Sequence, residues 1–116
     1  MAAVTAPGRR QRLELILERD GATCVWCGCE VDTPLVQATT EHVVPRLKGG
    51  PSWLENEVAA CKRCNGRRGH RNLVDWADEC DGSGWNVDRH RLVRVLESLD
   101  ARTVSYTHLT LPTIRL

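Results

Sequence analysis

The chain has 116 residues, six cysteines, four Trp, no Phe and a formal net charge of +1. That length suits one small domain with a marginal core, for which a structural metal is a common remedy. No apolar run approaches the roughly 20 residues that cross a bilayer, and no apolar signal core precedes Gly8-Arg9-Arg10, so a disulfide framework is not expected and paired cysteines favour metal.

Taken in chain order, residues 1–8 read as a leader. Leu13, Ile16 and Leu17 at i, i+3, i+4 predict a helix from Arg9 to Arg19, stopped by Asp20-Gly21. Cys24-x2-Cys27 follows, with Trp26 inside it expected to pack around a metal rather than stack on a base. Leu35 to Thr40 predicts a strand, and Pro45 with Gly49-Gly50-Pro51 forces a loop. Trp53 and Leu54 are expected as core anchors, and Val58 to Ala60 as a second strand. A short helix is expected to start near Asn65, weakened by Gly66 and Gly69. Asn72 with Asp75 three residues on predicts a cap opening a helix from Leu73 to about Cys80. Asp88 caps a last helix carrying Leu92, Val95, Leu96 and Leu99 on one face.

Cys24-x2-Cys27 and Cys61-x2-Cys64 have the spacing of two knuckles that share one tetrahedral zinc through four thiolates. Cys29 stands too close to Cys27 to be a natural ligand, and with Cys80 it is read as a plain thiol. Between the knuckles lie Glu41-His42 and Asn56, and Asn65 follows the last cysteine. Hydrolysis of a phosphodiester needs an activated water, and a neutral imidazole can take its proton near pH 7, which suits His42. A divalent cation must steady the phosphate and the leaving oxygen. Glu41 and Asn65 offer the oxygen donors that Mg²⁺ or Mn²⁺ prefers. Residues 62–71 hold five basic side chains and no acid. Beside a metal-type site, that run reads as a phosphate-binding face, with Arg46, Lys48, Arg67, Arg68 and Arg71 as candidate contacts. His70 is given a peripheral role, and His90 a surface one.

Cys24-x2-Cys27, Glu41-His42-x2-Pro45, Gly49-Gly50, Asn56 and Cys61-x2-Cys64-Asn65, in that order and spacing, resemble the HNH endonuclease family from about Arg9 to Arg71. The small zinc-bound members of phage and bacteria are the most similar. The resemblance implies an α+β fold: a ββα-metal (His-Me finger) core stapled by a four-cysteine zinc site, with flanking helices. It also implies cleavage of DNA, expected to be double-stranded, to 5′-phosphate and 3′-hydroxyl ends. His42 takes the position of the family's base, Glu41 and Asn65 those of the catalytic metal ligands. Asn56 takes the middle signature position, where its expected role is to brace the loop and orient His42. Glu41 stands where the family more often has Asp, and Asn65 where it often has His.

The expected organisation is a leader over 1–8, the nuclease domain over 9–80, a helical extension over 81–103 and a tail over 104–116. Val104 to Thr113 resembles one reading frame of a transposase-type sequencing adapter over ten consecutive residues, so the tail is set aside and the natural C-terminus is expected to lie elsewhere. The expected setting is the cytoplasm of a bacterial or phage-infected cell. Two other readings stand beside the nuclease: a catalytically weak zinc-ribbon module that binds nucleic acid, and a structural zinc adaptor for a protein partner. Only the nuclease requires His42 and an added divalent cation.

Overall fold

Helix α1 (Arg9–Asp20) opens the fold and buries Ile16 against a hairpin. Gly21 ends it, its N–H bonded to the Leu17 carbonyl. The hairpin is β1 (Ala38–His42) and β2 (Glu57–Cys61), antiparallel, running in register from Ala38 opposite Cys61 to His42 opposite Glu57. Helices α2 (Lys62–Arg68), α3 (Leu73–Gly82) and α4 (Arg89–Thr110) follow. The computed structural model describes residues 6–110, with side chains over 6–104. No helix among the described residues is long and apolar enough to cross a membrane.

Successive strand side chains point to opposite faces. Thr40, His42, Glu57 and Ala59 therefore share one face of the hairpin, and Thr39, Glu41, Val58 and Ala60 the other. α1 lies on the first face, where Arg9 reaches Thr40 Oγ1 at 3.2 Å and Arg12 reaches Glu57 at 2.6 Å. α2 lies toward the second: the Asn65 amide donates to Thr39 Oγ1 at 3.0 Å and to the Thr40 carbonyl at 3.1 Å. The hairpin followed by α2 is the ββα unit.

The first strand begins at Ala38 and not at Leu35. Thr33 Oγ1 accepts from the N–H groups of Leu35 and Val36, a hydroxyl turn that holds this stretch out of the sheet and leaves Leu35 exposed. The short helix starts at Lys62 rather than near Asn65, because the extended backbone of Cys61 already serves as its N-cap. The Asn72 cap is present, its side chain accepting from the Asp75 N–H at 2.9 Å, and α3 runs two residues past Cys80. Trp53 and Leu54 are both half-buried; Leu54 packs against the core as expected, while Trp53 lies outside it with the Arg102 guanidinium 3.7 Å above its ring. Asp88 caps α4, accepting from the Arg91 N–H at 3.0 Å. The tail set aside above begins inside α4, whose backbone continues to Thr110; residues 111–116 lie outside the described residues.

Candidate active site and metal centre

The two knuckles converge. Cys24 and Cys27 sit on a tight turn in which the Gly28 N–H bonds the Cys24 carbonyl and Gly28 takes a positive φ of 80°. Cys61 closes β2 and Cys64 lies in the first turn of α2. Their four sulfur atoms lie within 4.8 Å of one another, a donor set that can hold a metal such as zinc. Val25 N–H donates to the Ala59 carbonyl and Asp88 N–H to the Val25 carbonyl, so the first knuckle ties hairpin to α4. Burial and the neighbouring Cys27 push the Cys29 thiol up to about 12, burial with Asp81 pushes Cys80 up to about 11, and neither sulfur belongs to the cluster of four.

The loop from β1 to β2 is fixed by one side chain. Asn56 is fully buried; its Oδ1 accepts from the Val44 N–H at 2.9 Å, and its Nδ2 donates to the carbonyls of Val44 at 3.0 Å and Pro51 at 2.9 Å. It braces the loop as expected, but its bonds run to backbone and none to His42. Gly50 makes this possible, since a Cβ there would stand 1.7 Å from the Val44 carbonyl oxygen, with no flexible group to yield. Gly50→Ala is expected to cost stability at or beyond the upper end of the ~1–3 kcal/mol typical of overpacking, read as a lower denaturant midpoint at unchanged slope.

His42 sits at the end of β1, half-buried, on the α1 face. Its Nε2 lies 3.0 Å from Ser52 Oγ and 3.5 Å from Glu57 Oε2. Glu57 is fully buried and held by Arg12. Burial lowers the His42 pKa below 6.5, and Arg46, Arg12 and Arg9 add to this, against the opposing pull of Glu57. The imidazole is therefore neutral near pH 7. Glu57, Ser52 and Arg12 were not singled out from sequence. The available signal was an acid opening an otherwise uncharged strand, a placement that requires a partner once buried.

Glu41 points to the other face. It is 5 % exposed; Trp26 Nε1 donates to its Oε2 at 3.0 Å, and Arg68 lies 3.6 Å from its Oε1. Burial raises its pKa to about 7, against Arg68, the Trp26 hydrogen bond and the His42 backbone. Trp26 is thus core packing, as expected, with a polar task as well. Asn65 stands on the same side as Glu41. Since Thr40 O can only accept, the amide end facing it is the nitrogen, and Oδ1 is the end left for another ligand.

Arg68 is a correction. It was expected to contact phosphate, but it is 1 % exposed. Its guanidinium donates to the carbonyls of His42 and Val43 at 2.7 Å each and to Arg71 at 3.1 Å, and it stacks 5.1 Å from the Trp26 ring. Those bonds engage all three guanidinium nitrogens with the protein's own backbone, so it clips α2 to the end of β1 instead. Arg46, Lys48, Arg67 and Arg71 are exposed, as are His70 and His90. Arg71 is paired with Glu79.

Residues 24–76 match the family model described as HNH endonuclease. The CRISPR-associated endonuclease Cas9 of Corynebacterium diphtheriae is 32 % identical over 74 residues, which cover 61 % of this chain and 6 % of that protein. The chain thus spans only a small part of that relative's length. Residues 24–76 thus match an HNH endonuclease domain in sequence, across both knuckles and the histidine between them, and fold as hairpin, helix and four-cysteine cluster.

Proposed function

We propose that this domain is a metal-dependent endonuclease that hydrolyses DNA phosphodiester bonds, with His42 as general base. The observation that carries this reading is the setting of His42. In this reading the imidazole proton is on Nε2, which faces the Ser52 hydroxyl and the Glu57 carboxylate paired with Arg12. Nδ1 has no partner among the described residues and is the lone pair that would take a proton from water. Ser52 and Glu57 fix the ring's orientation, and Glu57 steadies the imidazolium formed on proton transfer.

Glu41 and Asn65 Oδ1 are hard oxygen donors on one side of β1 and fit a divalent cation, Mg²⁺ or Mn²⁺. Bound there, it would supply charge for the scissile phosphate and the leaving 3′-oxygen. His42 lies on the opposite face of the same strand end, so a phosphodiester crossing the end of β1 would meet base and cation-binding oxygens from two sides. Arg46 and Lys48, exposed on the turn after β1, and Arg67 on α2, would take flanking phosphates. Four cysteines hold zinc, apart from the chemistry. A cytoplasmic setting fits thiolates kept reduced.

One observation favours the rival reading of a binding module: Arg68 already stands beside Glu41 and can neutralise it without a cation. A supercoiled plasmid separates the two. Nicking is expected with Mg²⁺ or Mn²⁺, and none once excess chelator removes it. Retardation of the plasmid with no nicking at any divalent concentration would establish the binding module instead.

A further inference from the structure

The basic face of α2 leads from Asn65 to a cavity without a role in the mechanism above. Arg63 and Arg67, one helical turn apart, lay their guanidinium groups over the Trp85 ring, 4.8 and 5.9 Å from its centroid. Arg71 stands 5.5 Å from the Trp76 ring, and Trp76 meets Trp85 edge-on at 6.1 Å and 75°. Arg67, Arg71, Trp76, Glu79, Ser83 and Trp85 line a cavity of about 190 Å³. Trp76 is 2 % exposed, yet its indole N–H has no acceptor among the described residues. The Trp26 N–H, by contrast, reaches Glu41. A buried donor without an acceptor is a costly state in a native core, and a ligand acceptor relieves it.

We propose that this cavity receives one unstacked nucleobase of the nucleic-acid strand that runs along α2 from the end of β1. The inference rests on nucleic acid being the substrate. Guanidinium planes and indole rings are the surfaces on which unpaired bases stack. A base carbonyl or ring nitrogen satisfies the Trp76 N–H. Glu79, paired with Arg71, keeps lone pairs that accept from a base N–H, so a heterocycle, which both donates and accepts, fits the set of Trp76 donor and Glu79 acceptor. A base in a continuous duplex cannot enter. The cavity therefore selects DNA with an unpaired or displaced nucleotide over intact duplex.

The test uses the zinc-loaded full chain without added divalent cation, so that no cleavage occurs. Its probes are a DNA hairpin duplex and the same duplex with a one-nucleotide bulge. Affinity is read by fluorescence anisotropy. The Trp76 indole N–H is followed by NMR, assigned from its loss in Trp76→Phe. The bulged duplex is expected to bind roughly 10-fold more tightly, the size of one stacked base, and to shift the Trp76 signal. Trp85→Leu should weaken the bulged complex roughly 10-fold more than the plain one. If Trp85→Leu loses its zinc or its cooperative melting, Trp76→Phe carries the same comparison, since it keeps a ring in the core and removes the donor.

Equal affinity for both duplexes with an unmoved Trp76 signal would overturn the proposal and leave the cavity as ordinary basic surface. If neither DNA binds, the nucleic-acid reading above fails by itself, and the cavity is probed with cytidine monophosphate at millimolar concentration. A shift of Trp76 then upholds the base pocket, and no shift overturns it too.

Discussion

Cys64→Ser is expected to abolish the fold. Chelation of the wild-type protein should do the same, reversed by adding zinc back. The four sulfurs join a turn over Cys24–Cys27 to the end of β2 and the first turn of α2, at the centre of a small core. Without a cation their electrostatics conflict. Burial pushes Cys24 and Cys64 up, while Cys27, although burial opposes it, is drawn down to about 7 by hydrogen bonds from Cys29, Cys24 and Cys64. A bound divalent cation turns that crowding into binding energy. Structural zinc contributes about 10–16 kcal/mol in small domains, against a total stability of about 5–15 kcal/mol for an ordinary one, so its loss exceeds what the core can offset. Metal analysis should find one zinc per chain in the wild type and little in Cys64→Ser, with the cooperative melt lost. Cys29→Ser should keep both, because that sulfur is not among the four that cluster. A well-folded chain without zinc would sink the assignment.

The parts of this architecture fixed by local chemistry were legible in the sequence, and those that depend on distant partners were not. Cysteine spacing announces the metal centre, since two ligands three residues apart on a knuckle or a first helical turn need no tertiary information. The Asn72 cap and the 3.6-residue stripe of Leu92, Val95 and Leu96 are equally local. Arg68 failed because charge in a sequence does not tell burial: its partners, the carbonyls of His42 and Val43, lie 26 and 25 residues away. Glu57 was missed for the same reason, its counter-ion Arg12 being 45 residues upstream. Glu41 and His42 are neighbours in sequence, yet strand geometry sends them to opposite faces. A motif read as one cluster is thus a strand end with one group on each side. Asn56 was legible as a brace because three backbone groups of one short loop suffice to hold it.

His42→Ala is expected to lower plasmid nicking by roughly 10²–10⁴-fold, the range that a general base supplies, while zinc content, melting temperature and DNA affinity stay near wild type. The imidazole is half-buried at the end of β1, and its ring contacts are Ser52 and Glu57 rather than the hydrophobic core, so truncation removes chemistry more than packing. Glu41→Ala and Asn65→Ala should also cripple nicking, but through cation occupancy, so raising Mg²⁺ or Mn²⁺ should partly restore them and leave His42→Ala unchanged. The pH profile gives an independent signature. A base must be unprotonated, so the rate falls as pH drops through the pKa of His42. At saturating cation, which keeps Glu41 ionised, burial of His42 holds its pKa below 6.5, places the acid limb below that value and leaves the rate insensitive to it above pH 7. Glu57 opposes that lowering, so Glu57→Gln should move the acid limb to still lower pH and slow the plateau by about 10-fold or more, the loss typical of an orienting partner. A limb that moves to higher pH in Glu57→Gln, or a His42→Ala protein that nicks as fast as its parent at matched cation and pH, would assign the base to another group.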